Sequence, residues 1–404
     1  YDNAFEWRFE FPEVLNDEGD FIGFDAVIGN PPYIPLEAMS DSEKYFFKQK
    51  YRQVERKYET SILFIIEGFA LLKSNYYLSF IAPATWQTGE NYQKFREFIL
   101  RDKGVELIIN LPFDTFADAY VDTSIYKFIN SNTESYKIFN FDKTDKITNL
   151  DNLQFSNVSL AKMKFPDYKI ILNNNISSLF EKYDNDKFIA FGEITKSTQG
   201  LSGNKFKKYN DTIAKENCFP FLFKGNVYNY SLIIEETYIT DLSDKQSLLQ
   251  FYQAEPKLLI RRIINRQDRL SVAYCDKKLV FKKDINPFIC IDTRFSVKYL
   301  LGIMASKLIS YIYLNSSTVA NKDDFRQTTL AELRKLPIPL VDTRTERKII
   351  ALVETILKAK SYDPNTNTQI VQDEIDKIVY SLYQLSSEEI RLVEEKYKAK
   401  ENIK

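Results

Sequence analysis

The chain has 404 residues and no histidine, with 55 lysines and arginines against 56 aspartates and glutamates. The absence of histidine excludes Ser-His-Asp hydrolysis, Cys-His proteolysis and histidine-ligated zinc sites. Because the charges balance, a phosphate-rich partner can bind only where basic side chains gather on one face. The three cysteines, Cys218, Cys275 and Cys290, are widely spaced and predict reduced thiols. No long apolar segment indicates a membrane span, so we expect a cytoplasmic protein.

The first 130 residues alternate predicted strands with predicted helices. A short alternation around Trp7 and Phe9 predicts a strand. Residues 40–58 are charged and rich in tyrosine and lysine, which indicates a helical or mobile segment. Further strands are predicted at residues 26–28, 77–83, 105–111 and 121–129, and helices at residues 60–73 and 90–101. This alternation predicts an α/β fold with a doubly wound sheet.

The turn after the first apolar run carries residues suited to chemistry. Residues 26–28 are followed by Gly29 and then by Asn30-Pro31-Pro32-Tyr33. Two prolines cannot continue a central strand, so the turn is rigid and lies at the carboxyl end of a strand, where open α/β sheets bind ligands. An asparagine oxygen and a fixed proline carbonyl can accept both N–H bonds of an exocyclic amine. The alternative is that the turn only terminates the strand.

Three further regions follow the α/β segment. Residues 131–168 are polar and predict a linker. Residues 169–342 contain short aromatic-rich strands and one apolar helix at 297–314, which predicts an α+β domain. Residues 343–404 carry apolar stripes at helical spacing and predict a C-terminal helical segment, in which residues 386–389 supply the N-cap of the last helix.

The sequence GFDAVIGNPPY at residues 23–33 resembles the catalytic motif of N6-adenine DNA methyltransferases. FEWRFEFPEV before it, and FIAPATW and FREFIL after it, are similar to TaqI-like and Eco57I-like enzymes of type IIG restriction–modification. The resemblance covers most of residues 1–130 and implies the C-terminal part of a methyltransferase catalytic domain. Such a domain transfers a methyl group from S-adenosylmethionine to adenine N6, and a duplex adenine must flip out of the helix to reach the turn.

The resemblance assigns a role to each residue of the turn. Asn30 and the Pro31 carbonyl would hold the adenine amino group, with Asn30 also facing the cofactor. Pro32 completes the rigid turn, and Tyr33 would stack on one face of the flipped base.

Two further aromatic residues match aromatic positions of the family. Phe116 matches the ring that stacks on the other face of the base, and Phe113 is its nearby competitor. Phe64 matches the ring that packs on the adenine of the cofactor. Core packing is the alternative for Phe64 and for Phe116.

One element of the family pattern is missing from this sequence. The family binds S-adenosylmethionine with a glycine-rich loop upstream of the catalytic motif, and no Gly-x-Gly occurs here. The resemblance implies that this main binding loop lies before residue 1. We therefore expect the chain alone to bind the cofactor weakly and to be inactive. A nuclease domain, common at the amino end of Eco57I-like enzymes, would also lie outside the chain.

The second half resembles a DNA-reading domain. FGEITKSTQGLSGNKFKKY at residues 191–209 resembles the opening of TaqI-like and type I specificity domains, and LRKLPIPL at residues 333–340 resembles their close. Between them Arg261, Arg262, Arg266 and Arg269 are clustered, and arginine reads guanine edges or binds phosphate bidentately. Lys205 on a glycine-rich loop is a similar candidate. Phosphate positioning and plain solvated charge are the alternatives for each of them.

These features predict site-specific adenine-N6 methylation of double-stranded DNA at the bacterial nucleoid. The chain would supply the catalytic motif and the target-recognition domain, residues 169–342, of a type IIG restriction–modification enzyme. The alternative is a non-catalytic DNA-recognition module. A methyltransferase acting on protein glutamine shares the motif, but it would leave residues 170–340 without a purpose. No metal is expected, and the oligomeric state stays open, with a monomer as the simplest case.

Overall fold

The computed structural model divides the chain into two compact units, residues 1–178 and residues 179–404. The residues that it describes are 7–112, 115–116, 121–141, 145–147, 149–162, 169–170, 179, 182–183, 185–202, 208–209, 219–222, 226–239, 242, 245–317 and 326–398. Each unit has its own buried apolar core. The prediction that residues 1–130 and 169–342 are separate functional domains stays a prediction.

One mixed sheet organises the first unit. Its strands are β1 Phe24–Gly29, β2 Leu72–Pro83, β3 Gly104–Asn110, β4 Thr123–Ile129, β5 Ser135–Asn140 and β6 Ser156–Ser159. They are ordered β1-β2-β4-β3-β5-β6, and β4 and β6 run against the other four. Because β1, β2, β3 and β5 are parallel, their carboxyl ends meet at one edge of the sheet. The predicted α/β fold is confirmed.

Short helices connect and cover these strands. They are α1 Trp7–Glu10, α2 Asp41–Lys50, α3 Thr60–Ala70 and α4 Gln93–Glu97. The helix α3 packs on β2 through Ile62, Ile65 and Phe69, which are at most 3% exposed. Gly68 allows the close approach, because a Cβ there would lie 2.9 Å from the Leu78 side chain. The packing of α3 therefore fixes the position of its first residues, which lie next to the turn after β1.

Two sequence predictions for this unit were wrong. The alternation around Trp7 and Phe9 forms the helical turn α1, and Phe9 is 85% exposed, so no buried strand face exists there. Residues 131–168 are not a plain linker, because they supply β5 and β6 to the sheet. Tyr136, Ile138 and Val158 are buried between polar neighbours, so the polar composition concealed a strand pattern of period two.

The second unit contains several small sheets. Its strands are β7 Phe188–Ala190, β8 Thr195–Ser197, β9 Lys208–Tyr209, β10 Phe219–Leu222, β11 Val227–Tyr228, β12 Ser231–Leu232, β13 Glu235–Ile239, β14 Lys257–Arg261, β15 Val272–Cys275, β16 Val280–Phe281, β17 Ile285–Cys290 and β18 Pro337–Pro339. The sheet orders are β16-β10-β13-β9, β15-β14-β17-β8, β11-β12 and β18-β7. Short strands mixed with helices confirm the predicted α+β character.

The helices of the second unit contribute to two buried apolar clusters. They are α5 Phe191–Ile194, α6 Gln246–Gln253, α7 Val297–Met304, α8 Lys307–Ser316, α9 Leu330–Arg334, α10 Thr343–Tyr362, α11 Gln369–Leu382 and α12 Ser387–Lys398. Buried residues of α10, α11 and α12 belong to the same cluster as those of α7 and α8. Ser386 caps α12 as predicted, since its hydroxyl accepts the Glu389 N–H at 3.3 Å. Cys275 and Cys290 are free thiols, while Cys218 lies outside the described residues.

The apolar stretch 297–314 forms two helices rather than the single predicted one. The axes of α7 and α8 meet at 64°, and Ser306 between them caps α8 by accepting the Ile309 N–H at 3.2 Å. Apolar periodicity cannot show such a break, because both helices bury most of their residues. Within the described residues, no single helix has the length and apolar character needed to cross a membrane, although this bent pair does by length and composition.

Candidate active site

The turn after β1 is held against β2 by the Tyr33 hydroxyl. This group lies 2.7 Å from Asn30 Oδ1 and 2.9 Å from the Ile81 carbonyl oxygen, and its single proton is shared between these two acceptors. Gly29 pairs with Phe80 of β2, so Asn30 begins the turn at the carboxyl edge of the sheet. Asn30 is exposed and Tyr33 is half-buried. The asparagine side chain is thus fixed in direction while it stays open to solvent.

Thr60, the first residue of α3, ties the same turn to the helix. Its hydroxyl donates to the Pro32 carbonyl and accepts the Ile34 N–H at 3.0 Å. The residue at the N-cap position of α3 is Glu59, without a side-chain cap bond. The Pro31 carbonyl accepts no hydrogen bond from any residue in the described part of the chain. One proline carbonyl of the turn is therefore occupied, while the other has no partner in the described part of the chain and belongs to a buried residue.

Glu59 places a carboxylate beneath this turn. Its Oε1 accepts the Thr85 hydroxyl at 3.0 Å, which joins the start of α3 to the loop after β2. Burial raises the pKa of Glu59 above its ordinary value, and the Thr85 bond opposes this only in part. Burial and the Glu59 charge together raise the pKa of Tyr33, so its hydroxyl keeps its proton at neutral pH. The same two causes raise the pKa of Tyr92 to about 12.

A buried polar network continues along the sheet edge. Gln87 Nε2 lies 2.7 Å from Asn110 Oδ1, 3.0 Å from Ser124 Oγ and 2.8 Å from Tyr126 Oη. The Tyr126 hydroxyl also donates to the Pro83 carbonyl at 3.2 Å. These contacts join the ends of β2 and β3 to the start of β4. Sequence reasoning missed Glu59, Gln87 and Asn110, because their partners are distant in the sequence.

Phe116 and Phe64, the two predicted aromatic partners, lie in different elements of the first unit. Phe116 is half-buried in the connection from β3 to β4, and the pairing of Asn110 with Ser124 puts this connection at the same edge as Asn30. Phe64 lies on α3 and is 46% exposed, although Leu63 and Ile65 beside it are at most 4% exposed. Core packing therefore does not describe Phe64. Phe113 lies outside the described residues.

The predicted arginine cluster separates into different environments. Arg261 ends β14 and is half-buried, while Arg266 is exposed in the following turn. Arg262 is half-buried, and its Nε is excluded from solvent without a hydrogen-bond partner in the described structure. Arg269 is structural, because its guanidinium donates to the Ala305 carbonyl and lies 5.4 Å from the Tyr397 ring centre. Lys205 lies outside the described residues.

The described residues contain no group of three or more cysteine, aspartate or glutamate side chains placed to hold a metal ion. The chemistry available at the edge of the first sheet is hydrogen-bond acceptance by Asn30 and Pro31, and the helix α3 that contacts this turn through Thr60 also carries the exposed Phe64 ring. This set suits an uncharged amine substrate and an aromatic ligand better than a cation.

Family models match both halves of the chain. Residues 1–116 match the model of the Eco57I restriction-modification methylase, and residues 220–338 match the model of the TaqI-like C-terminal specificity domain. The chain is 32% identical over 397 residues to a putative type II restriction enzyme and methyltransferase of Methanocaldococcus jannaschii, covering 94% of this chain and 32% of the relative. It is 21% identical over 249 residues to the type II restriction enzyme and methyltransferase RM.Eco57I of Escherichia coli, covering 59% of this chain and 25% of the relative. The chain thus spans a third or less of the length of these relatives.

Two solved structures share the fold. The type IIL restriction-modification enzyme MmeI, determined in complex with DNA, matches 93% of this chain and 57% of its own, with a TM-score of 0.61 and 13% identity. A nuclease-deletion mutant of the type ISP enzyme LlaGI, bound to a DNA substrate mimic, matches 83% of this chain and 35% of its own, with a TM-score of 0.52 and 12% identity. At these identities the comparison establishes the fold alone.

Proposed function

We propose that this chain, which joins an Eco57I-type restriction-modification methylase segment to a TaqI-like C-terminal specificity domain, serves site-specific methylation of adenine N6 in duplex DNA. The observation that carries the proposal is the Asn30 side chain, fixed by Tyr33 yet exposed at the carboxyl edge of the sheet. The natural protein that contains the chain would act as a type IIG restriction–modification methyltransferase at the nucleoid.

The reaction requires two hydrogen-bond acceptors at the adenine amino group. Asn30 Oδ1 has two lone pairs and uses one for Tyr33, so the second remains for one N6 hydrogen. The Pro31 carbonyl accepts the other hydrogen, and Thr60 holds the neighbouring Pro32 carbonyl away from this role. Acceptors on both N–H bonds draw the nitrogen toward a pyramidal shape and free its lone pair for attack. One N6 proton passes to solvent water as the new N–CH3 bond forms, because the two acceptors are amide and peptide oxygens and not bases.

Aromatic side chains hold the substrate and the cofactor in place. Tyr33 stacks on one face of a flipped adenine and Phe116 on the other, each contact worth ~1–3 kcal/mol. Phe64 fits the adenine ring of S-adenosylmethionine, because its ring is exposed on an otherwise buried helix face. When bound, S-adenosylmethionine supplies a methyl group on a positively charged sulfur that departs as a neutral thioether.

Target recognition belongs to the second unit. Arg266 is exposed and suits a base edge or a phosphate, and Arg261 is a half-buried second candidate at the end of β14. Arg262 contributes less, since its Nε faces the interior. Lys205 remains a candidate on the glycine-rich loop. Double-stranded DNA with a flipped adenine is the proposed partner.

The proposal is tested by mapping N6-methyladenine at base resolution in the source genome, with and without the gene. We expect one short sequence context to lose its methylation when the gene is deleted. Complementation with the natural protein should restore the mark, and complementation with Asn30→Ala should not. Methylation that persists in Asn30→Ala would overturn the proposed role of the turn.

The alternative is a DNA-recognition module without chemistry of its own. It predicts that Tyr33→Ala keeps the affinity of the protein for duplex DNA and that no methylation appears under any reconstitution. The fixed and exposed Asn30 favours the enzyme, because a module that only recognises DNA has no need of a fixed acceptor at the carboxyl edge of this sheet.

A further inference from the structure

A basic segment follows the catalytic turn, and the residues on either side of this segment contact each other. Residues 41–58, called here the basic excursion, contain six lysines and arginines against three acidic residues, a net charge of +3 in a chain of net charge -1. Just outside it Pro35 pairs with Glu59, and at its last residue the Tyr58 carbonyl accepts the Leu36 N–H at 3.1 Å. Both ends of the basic excursion are therefore anchored beside the turn that we assign to adenine.

The acidic residues of the basic excursion are engaged in local structure. Glu43 forms a capping box with Ser40 at the start of α2, and its Oε2 accepts the Ser40 N–H at 2.8 Å. Asp41 lies in the first turn of the same helix, where a negative charge is favourable. Glu55 accepts the Lys94 N–H at 3.0 Å. These carboxylates are engaged at helix ends, and Asp41 also pairs with Lys44 of the basic excursion.

The basic residues divide into two groups. Lys50 pairs with Glu67 at 2.9 Å and Lys57 pairs with Glu37 at 3.6 Å. Lys44 pairs with Asp41. The remaining three are exposed and form no ion pair with any residue that the structure describes: Lys48, Arg52 and Arg56. Three solvent-exposed cations on a segment that is anchored next to the candidate active site favour binding of an anionic partner.

Packing holds these cations on a fixed support. Tyr51, Val54 and Tyr58 are 6%, 8% and 5% exposed and belong to the core of the first unit. On α2 the rings of Tyr45 and Phe46 are instead 70% and 56% exposed. Exposed aromatic rings interleaved with lysine and arginine are typical of surfaces that bind nucleic acid.

We propose that the basic excursion is a second DNA-binding surface, separate from the specificity domain. Lys48, Arg52 and Arg56 contact backbone phosphates near the flipped adenine, and Tyr45 and Phe46 meet sugars or bases there. This inference rests on the proposed function, because DNA is the anion that would reach the catalytic turn. Phosphate contacts carry no sequence information, so the surface adds affinity rather than specificity.

The test replaces the three free cations together, as Lys48→Gln, Arg52→Gln and Arg56→Gln, in the natural protein. The matched control removes the same charge from exposed positions of the C-terminal helices, as Arg347→Gln, Lys358→Gln and Lys377→Gln. Binding of a short duplex is measured over a range of salt concentrations, with and without the sequence found by methylation mapping. Each lost phosphate contact lowers the slope of log K against log salt by about 0.9, so we expect a fall of about 2–3 for the triple variant.

The expected result is weaker binding by the triple variant to both duplexes, with an unchanged ratio between them and an unchanged control. An unaltered slope in the triple variant, with normal binding by the wild type, means that the basic excursion is only a solvated face and overturns this inference alone. A loss of sequence preference contradicts the phosphate role. If the wild type binds neither duplex, the proposed function fails as well.

Discussion

The Tyr33 hydroxyl contributes to the candidate site separately from the Tyr33 ring. It bridges Asn30 Oδ1 and the Ile81 carbonyl, so it fixes the asparagine while the ring remains free to stack. Removing only the hydroxyl should therefore affect the geometry of the acceptor and not the stacking. This distinction can be measured, because the two functions appear in different observables.

We expect Tyr33→Phe to lower kcat for adenine methylation by roughly fivefold, in line with the ~1 kcal/mol of a lost hydrogen bond. Flipping of the target base should be retained, as measured by fluorescence of 2-aminopurine at the target position. Tyr33→Ala should impair both kcat and flipping of the target base, because stacking is worth ~1–3 kcal/mol. A kcat for Tyr33→Phe equal to that of wild type would show that the hydroxyl has no role of its own.

Glu59 gives the first unit a pH dependence. Its pKa is raised by burial, so between the unfolded value of about 4.3 and the raised folded value the folded state holds more protons than the unfolded state. The contribution of Glu59 to stability therefore decreases as the pH rises through this window.

The variant Glu59→Gln keeps an acceptor for the Thr85 hydroxyl and removes the titration. At a pH low enough to protonate Glu59 in both the folded and unfolded states, we expect wild type and variant to differ little in free energy of unfolding. As the pH rises toward neutrality, the variant should become more stable than wild type. Urea midpoints at several pH values measure this difference. A difference that is constant with pH would contradict the assignment.

At the scale of elements, α3 positions the catalytic turn as much as the strand before it does. The Thr60 hydroxyl bonds on both sides of Tyr33, to the Pro32 carbonyl and to the Ile34 N–H. Gly68 lets the same helix lie close to β2, which receives the Tyr33 hydroxyl at Ile81. The turn is thus held between one helix and one strand.

Replacing Thr60 by valine keeps the shape of the side chain but removes both hydrogen bonds. We expect a fall in kcat of ~10- to 100-fold, because small displacements of reacting groups are costly. The Kd for DNA should remain close to that of wild type, since the stacking rings are retained. Thr60→Ser should restore most of the activity. Failure of serine to rescue would point to packing of the threonine methyl group instead.

Sequence patterns predicted the elements whose apolar residues recur at a regular period. They failed where contacts between residues distant in the sequence determine the structure. Residues 60–73 and 105–111 were identified within a few residues, and Asn30 was placed correctly at the end of a strand. The strands β5 and β6 were missed, because their buried residues alternate with polar ones in a polar segment. The bond from Thr60 to Pro32 spans 28 residues and has no local signal, so the support of the turn could not be predicted.

At the scale of the whole molecule, the nearly equal numbers of acidic and basic residues conceal an uneven distribution. Three cations of the basic excursion form no ion pair with any residue that the structure describes. In the second unit, by contrast, one lysine is surrounded by acidic side chains. Lys307 Nζ lies 3.1 Å from Asp373, 3.0 Å from Glu394 and 3.9 Å from Asp376, with a side chain that is 5% exposed. This lysine therefore links α8 to α11 and α12.

The variant Lys307→Met tests how much the second unit depends on this link. Burial is the main cause that raises the pKa of Asp376, and the charge of Glu394 adds to it, so without the lysine three carboxylates repel one another at this helix junction. We expect a loss of ~3–5 kcal/mol in the free energy of unfolding, as found when one partner of a buried ion pair is removed. The control Lys348→Met breaks an exposed pair with Glu374 at 3.9 Å and should cost ~0–1 kcal/mol. Urea unfolding followed by circular dichroism measures both, and Asp376→Asn in the Lys307→Met background should recover part of the loss, since it removes one of the unpaired charges.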